Sequence, residues 1–390
     1  RAGSRQYAEL SDDDGWSWGT ASPPSPPEQQ ARLSLARSET VGPVTVRDLL
    51  DHFGNAVAAL DALPDLAARG GAKRAMKVAP AADAEAEIAT TRKIGGELLV
   101  LGDDAFPARL ATLDPPPPVI AVAGDIALTS GKLVAIVGSR NASAAGRRIA
   151  GEMAEALGAE GVTVVSGLAR GIDTAAHRAS LRTGTVAVLA GGLDIVYPEE
   201  NRELQNMIAA EGALVTEMPP GTSPQARHFP RRNRLISGLS LAVVVVEAAL
   251  RSGSLITARF ALEQGRDVFA VPGSPLDPRA QGANKLIKDG APLVENAADV
   301  IAALSGPFGN RFREPEPPSY APRPSSAPET GETVRRKILA ALGPTPTPVD
   351  DIVRQSGAAV PQVRAVLLEL ELAGRLHRDP GDRVSLLPDS

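Results

Sequence analysis

Cysteine is absent from all 390 residues, which excludes a disulfide framework, a thiolate metal site and a cysteine nucleophile. Histidine occurs four times at scattered positions, so no metal site is expected and no cofactor is assigned. No apolar run approaches the roughly 20 residues that span a bilayer, and the polar N-terminus has no signal-peptide pattern. The expectation is a soluble, cytoplasmic chain with no membrane partner. Excess positive charge is missing as well. The net charge is −5, which argues against a protein that coats nucleic acid. The acidity is local: residues 1–130 hold 12 Lys/Arg against 18 Asp/Glu, whereas residues 131–305 hold 18 against 17. Within that neutral middle, Arg227, Arg231, Arg232 and Arg234 cluster in a stretch, Thr222 to Ser240, that contains no acid. The length implies two or three domains.

What is present is a series of short Val-rich runs: Leu133–Val137, Val162–Val165, Thr185–Ala190, Ala213–Glu217, Leu241–Glu247 and Asp267–Val271. They are continuously apolar rather than alternating, the mark of strands buried on both faces as in parallel sheets. The segments between them are long enough for crossover helices. The expected fold class is α/β, with an extended Rossmann-like, doubly wound, mostly parallel sheet over 132–305.

The flanks read differently. Residues 1–30, with Asp12-Asp13-Asp14 and a Ser/Pro run, suit a disordered lead-in. Residues 31–104 suit a helical domain of the SAM or helix-hairpin-helix kind, whose Val41-Gly42-Pro43-Val44 turn fits a packing module better than a DNA contact, since acids surround it. A backbone-amide phosphate site at such a helix start is the alternative. Residues 105–131 contain four consecutive prolines, incompatible with a helix or a central strand, and are expected to be a rigid connector. Residues 306–330, rich in Pro and Ser, suit an extended linker. Residues 331–390 give helix, helix-turn-helix and a hairpin around Pro380-Gly381, the order of a winged helix. Its third helix, Val360 to Ala373, carries Glu369 and Glu371 against Arg364, which favours protein contact or a silent role over the DNA major groove.

In an open parallel sheet, ligands bind beyond the carboxyl ends of the strands. The polar residues there are Gly138, Ser139, Arg140 and Ser143; Ser166, Gly167 and Arg170; Arg202; and Ser252-Gly253-Ser254. Small residues allow helix starts and bare N–H groups to approach an anion. With Arg140, Arg170, Arg231, Arg232 and Arg234 they describe a phosphate site. It is not a dinucleotide or ATP site, because neither G-x-G-x-x-G nor G-x-x-x-x-G-K-[ST] occurs. Asp173 and His177 lie four apart on one helix face; a helix cap and an interloop hydrogen bond are favoured over an acid–base pair. Asn233 is read as a loop brace, a role also open to Arg234, and Glu247 as structural. Tyr197 and Phe229 are the candidate stacking platforms in a chain with 3% aromatics.

Val137-Gly138-Ser139-Arg140, Ser166–Asp173 followed by Ala176-His177, GGLDIVYPEEN, HFPRRNRLISGLS, RSGSLITA and VPGS…GANKLI together closely resemble the DNA-processing protein A family (DprA, also called Smf). The resemblance implies single-stranded DNA binding, a homodimer, and a partnership with the RecA recombinase, which the protein loads onto incoming strands during natural transformation. It implies that Arg140 contacts the DNA backbone, that Gly138, Ser139, Ser166 and Gly167 face phosphates, and that Arg202 adds a second basic contact. Glu199 and Glu200 depart from the family, where lysine is common after Tyr-Pro. The rival is a nucleotide phosphoribohydrolase of the lysine-decarboxylase-like type. That chemistry needs a glutamate in the turn that here reads SGSLITAR, and a general acid must be titratable; no catalytic residue and no enzymatic activity are therefore expected.

Overall fold

A computed structural model describes residues 24–305, 331–379 and 381–387. Its centre is an eight-stranded sheet of β1 (Gly96–Val100), β2 (Val119–Gly124), β3 (Leu133–Gly138), β4 (Thr163–Ser166), β5 (Thr185–Val188), β6 (Ala213–Thr216), β7 (Ala242–Val246) and β8 (Asp267–Ala270), in the order β1-β2-β6-β5-β4-β3-β7-β8. All six apolar runs are strands, and the six pair in parallel. Their continuity has the expected cause: both faces are covered. Leu235, Ile236 and Leu239 of α9 (His228–Leu239) and Ala258 and Ala261 of α10 (Gly253–Glu263) pack on one face. Ala150, Met153 and Leu157 of α6 (Ala144–Ala159), Ile172 and Ala176 of α7 (Ile172–Ser180) and Val300 and Leu304 of α12 (Ala297–Ser305) pack on the other. Leu204 and Ile208 of α8 (Arg202–Glu211) pack on Ala187 of β5 and Leu214 of β6, and Ala283 of α11 (Gln281–Lys288) joins the first face.

Strand order fixes where a ligand can enter. The chain winds β3, β4, β5, β6 in one direction and then returns to place β7 on the opposite side of β3. The loops leaving β3 and β7 diverge at that switch point and open a crevice.

The sheet is wider than the expected domain starting at 132. The connector expected over 105–131 contains the short helix α5 (Ala108–Ala111) and strand β2, which pairs antiparallel with both β1 and β6. The prolines obey their constraint by ending at Pro118, one residue before pairing begins. The expected lead-in also ends early, because α1 (Pro26–Arg37) starts at two prolines that preset its first turn. Residues 1–23 and the expected linker 306–330 lie outside the described residues.

Helix α1, α2 (Pro43–Phe53), α3 (Ala56–Arg69) and α4 (Ala81–Lys93) form the N-terminal unit. At the Val41–Val44 turn, which starts α2, the Gly42 N–H donates to Thr45 Oγ1 at 3.3 Å, and at the start of α3 the Ala56 N–H donates to both Glu28 carboxylate oxygens at 2.9 and 3.0 Å. The C-terminal unit is a winged helix of α13 (Glu332–Ala340), β9 (Thr347–Pro348), α14 (Val349–Ser356), α15 (Val360–Leu372), β10 (Leu376–Asp379) and β11 (Arg383–Leu386). Its third helix meets the chain's own N-terminal unit. Leu368 and Leu372 of α15 join the core of Leu35, Val46, Leu49, Leu63 and Leu66. Around them Glu369 pairs with Arg335 and Arg69, and Arg378 pairs with Asp48 and Glu371. Arg375 Nη1 also donates to the Gly70 carbonyl at 3.3 Å. Among the described residues, no helix is long and apolar enough to cross a membrane.

Candidate nucleic-acid interface

A cavity of about 550 Å³ occupies the crevice at the switch point. Gly138, Ser139, Arg140 and Asn141 leave β3 on one side; Arg251, Ser252, Gly253 and Ser254 lead from β7 into α10 on the other; Phe229, Arg232 and Asn233 of α9 close the third side. Three predicted elements that are far apart in sequence therefore converge.

The cationic frame is built around one ring. The Arg140 guanidinium carbon lies 5.1 Å from the Phe229 ring centroid and that of Arg232 lies 5.7 Å from it, both within cation–π range. Tyr197, 48% exposed, stands 5.7 Å from Phe229 with the rings tilted by 59°. Between these rings a narrower slot runs down to Leu189, Gly167 and Arg232. Arg140 is exposed and makes no ion pair among the described residues. Arg232 is only 6% exposed and donates to the Val188 carbonyl at 3.3 Å, while its Nε has no partner among the described residues. Burial pulls its pKa down to about 10, partly countered by the nearby Asp173 charge, so Arg232 remains a cation at neutral pH. Gly167 is glycine for steric reasons: a Cβ there would sit 1.5 Å from Arg232 Nη1.

Beneath the rim lies a brace. Asp173 accepts from the Gly167 and Ala169 N–H groups at 3.2 and 3.3 Å. Burial raises its pKa, opposed by Arg232 and these bonds. His177 Nε2 accepts from the Leu168 N–H at 3.3 Å, leaving Nδ1 to donate to Thr185 Oγ1 at 2.7 Å. Burial, reinforced by the Arg232 charge, lowers the His177 pKa to about 3. The ring is neutral and serves as a strut. Asn233 Nδ2 donates to the Gly253 carbonyl at 3.2 Å, tying α9 to the start of α10.

Several candidates do not face the cavity. Ser166 is fully buried and donates to the Ile136 carbonyl at 2.6 Å, and the Gly167 N–H is taken by Asp173; neither can meet a phosphate. Gly138 does line the cavity, but glycine there is also required for packing, since a Cβ would lie 1.9 Å from the Val246 carbonyl oxygen. Ser143 caps α6 by accepting from the Gly146 N–H at 2.9 Å, and the Glu247 carboxylate accepts from both its N–H, at 2.9 Å, and its hydroxyl. Arg234 is turned inward, donating to the Pro115 carbonyl and lying 3.8 Å from the buried Glu217. Arg170 and Arg202 are exposed but each is paired, with Glu200 and Glu199 respectively. Arg231 is exposed on α9 outside the cavity wall.

Arg251 was not a candidate, yet it is exposed, lines the cavity and makes no ion pair among the described residues. Its place immediately before Ser252-Gly253-Ser254, at the switch-point strand, was the available signal. Gly253 has open space on its Cβ side and begins α10, so its approach is unobstructed. Asp173 is the one carboxylate among the cavity-lining residues, and it is engaged in bracing. No cluster of His, Cys, Asp and Glu suited to a metal occurs among the described residues.

Three family models match the chain. That for DNA recombination-mediator protein A covers residues 97–305, that for the DprA-like N-terminal HHH domain covers 26–90, and that for the DprA winged helix domain covers 321–382. Protein Smf of Escherichia coli is 43% identical over 295 residues, covering 74% of this chain and 77% of the relative. DNA processing protein DprA of Streptococcus pneumoniae is 45% identical over 202 residues, covering 51% and 71%. The X-ray structure of the Streptococcus pneumoniae DNA processing protein A superposes with a TM-score of 0.59 at 36% identity, covering 70% of this chain and 95% of that one.

Proposed function

The chain belongs to the DNA recombination-mediator protein A family, and we propose that it binds single-stranded DNA across the switch-point rim and presents it to the RecA recombinase, acting as a homodimer and breaking no bond. The observation that carries the reading is the cavity with Arg140 stacked on Phe229 at its mouth and Arg232 buried at its floor. Phosphates meet Arg140, Arg251 and the exposed Gly253 at the start of α10, a set of contacts that carries little sequence preference. Tyr197 and Phe229 offer faces to unstacked bases, which a single strand exposes and a duplex hides. Hydrolysis finds no support at the site, because the lone cavity carboxylate already accepts two backbone N–H groups.

Fluorescence anisotropy with labelled single- and double-stranded oligonucleotides at two salt concentrations tests the reading. Tighter binding of the single strand, weakening steeply with salt, is expected; equal affinity for both forms, or none for either, would overturn it. Filament formation by RecA on the bound strand tests the handover. Free base released from nucleoside monophosphates would overturn the non-enzymatic assignment.

A further inference from the structure

We propose that Glu199 and Glu200 set the strength and salt dependence of strand binding by occupying two rim arginines as internal stand-ins for phosphate; the inference rests on the strand-binding reading above. Arg202 Nε and Nη2 donate to the two Glu199 oxygens at 2.6 and 2.8 Å. This is the two-pronged arrangement in which a guanidinium also holds a phosphate. Arg170 Nη2 lies 2.6 Å from Glu200 Oε1. The acids occupy successive positions on a short 3-10 turn, Glu199–Asn201, directly after Tyr197 and Pro198. Their position is fixed from beneath: Asn201 is buried, and its Nδ2 donates to the Leu168 carbonyl and to Thr174 Oγ1, both at 2.9 Å.

The rim therefore has two unlike sides. Arg140 and Arg251 stand open at the cavity, while Arg170 and Arg202, on the Tyr197 side, already hold carboxylates. All four members of the two pairs are largely exposed, and exposed pairs add little to folding. A phosphate can displace them, but each acid offsets one cation that would otherwise attract the strand. A ligand too short to reach past the cavity meets only the open side, whereas a longer strand reaches the masked side, where the carboxylates compete with its phosphates for the two arginines.

The test is the full-length Glu199→Gln/Glu200→Gln variant, isosteric at two exposed positions, titrated with a labelled oligothymidylate beside the wild type and Arg140→Ala. Each acid removed is expected to tighten binding about three- to fivefold. The pair is expected to steepen the plot of log affinity against log salt by about 1.4, from two added phosphate contacts. Adding Arg170→Ala and Arg202→Ala in the glutamine background should cancel both gains. If the wild type binds and Arg140→Ala weakens it, but the glutamine variant matches the wild type or binds more weakly, the inference is overturned while strand binding stands. If none of the proteins binds at low salt, the strand-binding reading itself is overturned.

Discussion

The rim of the central sheet and the seam between the two end domains are both assembled from arginines and carboxylates, with opposite results. At the seam every cation finds an acid: Arg69 reaches across the seam to Glu369, which Arg335 also holds, and Arg378 bridges Asp48 of the other unit and Glu371 of its own, around buried Leu368 and Leu372. At the rim, Arg140 and Arg251 face a cavity without a carboxylate partner among the described residues. Matched charge over an apolar centre closes a surface, whereas unmatched charge beside aromatic faces leaves one ready for a ligand. The winged helix illustrates the first case, since the helix that enters the major groove in DNA-reading relatives of that fold here packs on α3.

The comparison can be broken most forcefully at the seam. Leu372, 2% exposed, should cost about 2–5 kcal/mol when truncated to alanine, read by denaturant unfolding, with strand affinity changed less than twofold. An equal loss of affinity would show that seam and rim are one system. Acid separates them next. The folded His177 pKa, about 3, lies below its unfolded value, so between pH 6.5 and 3 the unfolded ring takes up a proton that the folded one refuses. Stability contributed by the neutral ring is therefore present above pH 6.5 and lost on acidification, by about 1.4 kcal/mol per pH unit. Unfolding curves of wild type and His177→Gln should converge by that amount as pH falls; parallel curves would contradict the neutral strut. Arg140→Ala should weaken strand binding about tenfold at low salt and flatten the salt slope by about 0.7, leaving the melting temperature unchanged. Smallest is Arg69→Gln, whose side chain is 59% exposed, expected to cost at most about 1 kcal/mol of stability and nothing in binding.

Much of this was legible in the sequence, for definite reasons. The apolar runs marked six strands because two-sided burial tolerates no polar alternation, and the position of Arg140 after β3 placed it at the rim. What escaped were partners distant in the chain. Ser143 looks available until Glu247, 104 residues later, accepts from it; Arg234 looks basic and exposed until Glu217 and Pro115 fold beneath it. Local pattern tells which groups can donate, and only tertiary packing decides whether the molecule's own oxygens reach them first. Strand β2 was missed for a related reason, since the prolines that exclude a strand at 115–118 concealed the one starting at Val119.

Arg232 carries a last consequence. Mobile ions screen charges at the surface far more than charges shielded by protein, and this guanidinium lies under Phe229 and beside Gly167. As ionic strength rises, the outer arginines fade from the balance while the floor of the cavity keeps its potential. A bound strand in concentrated salt should thus be tethered at one deep anchor rather than released evenly along its length.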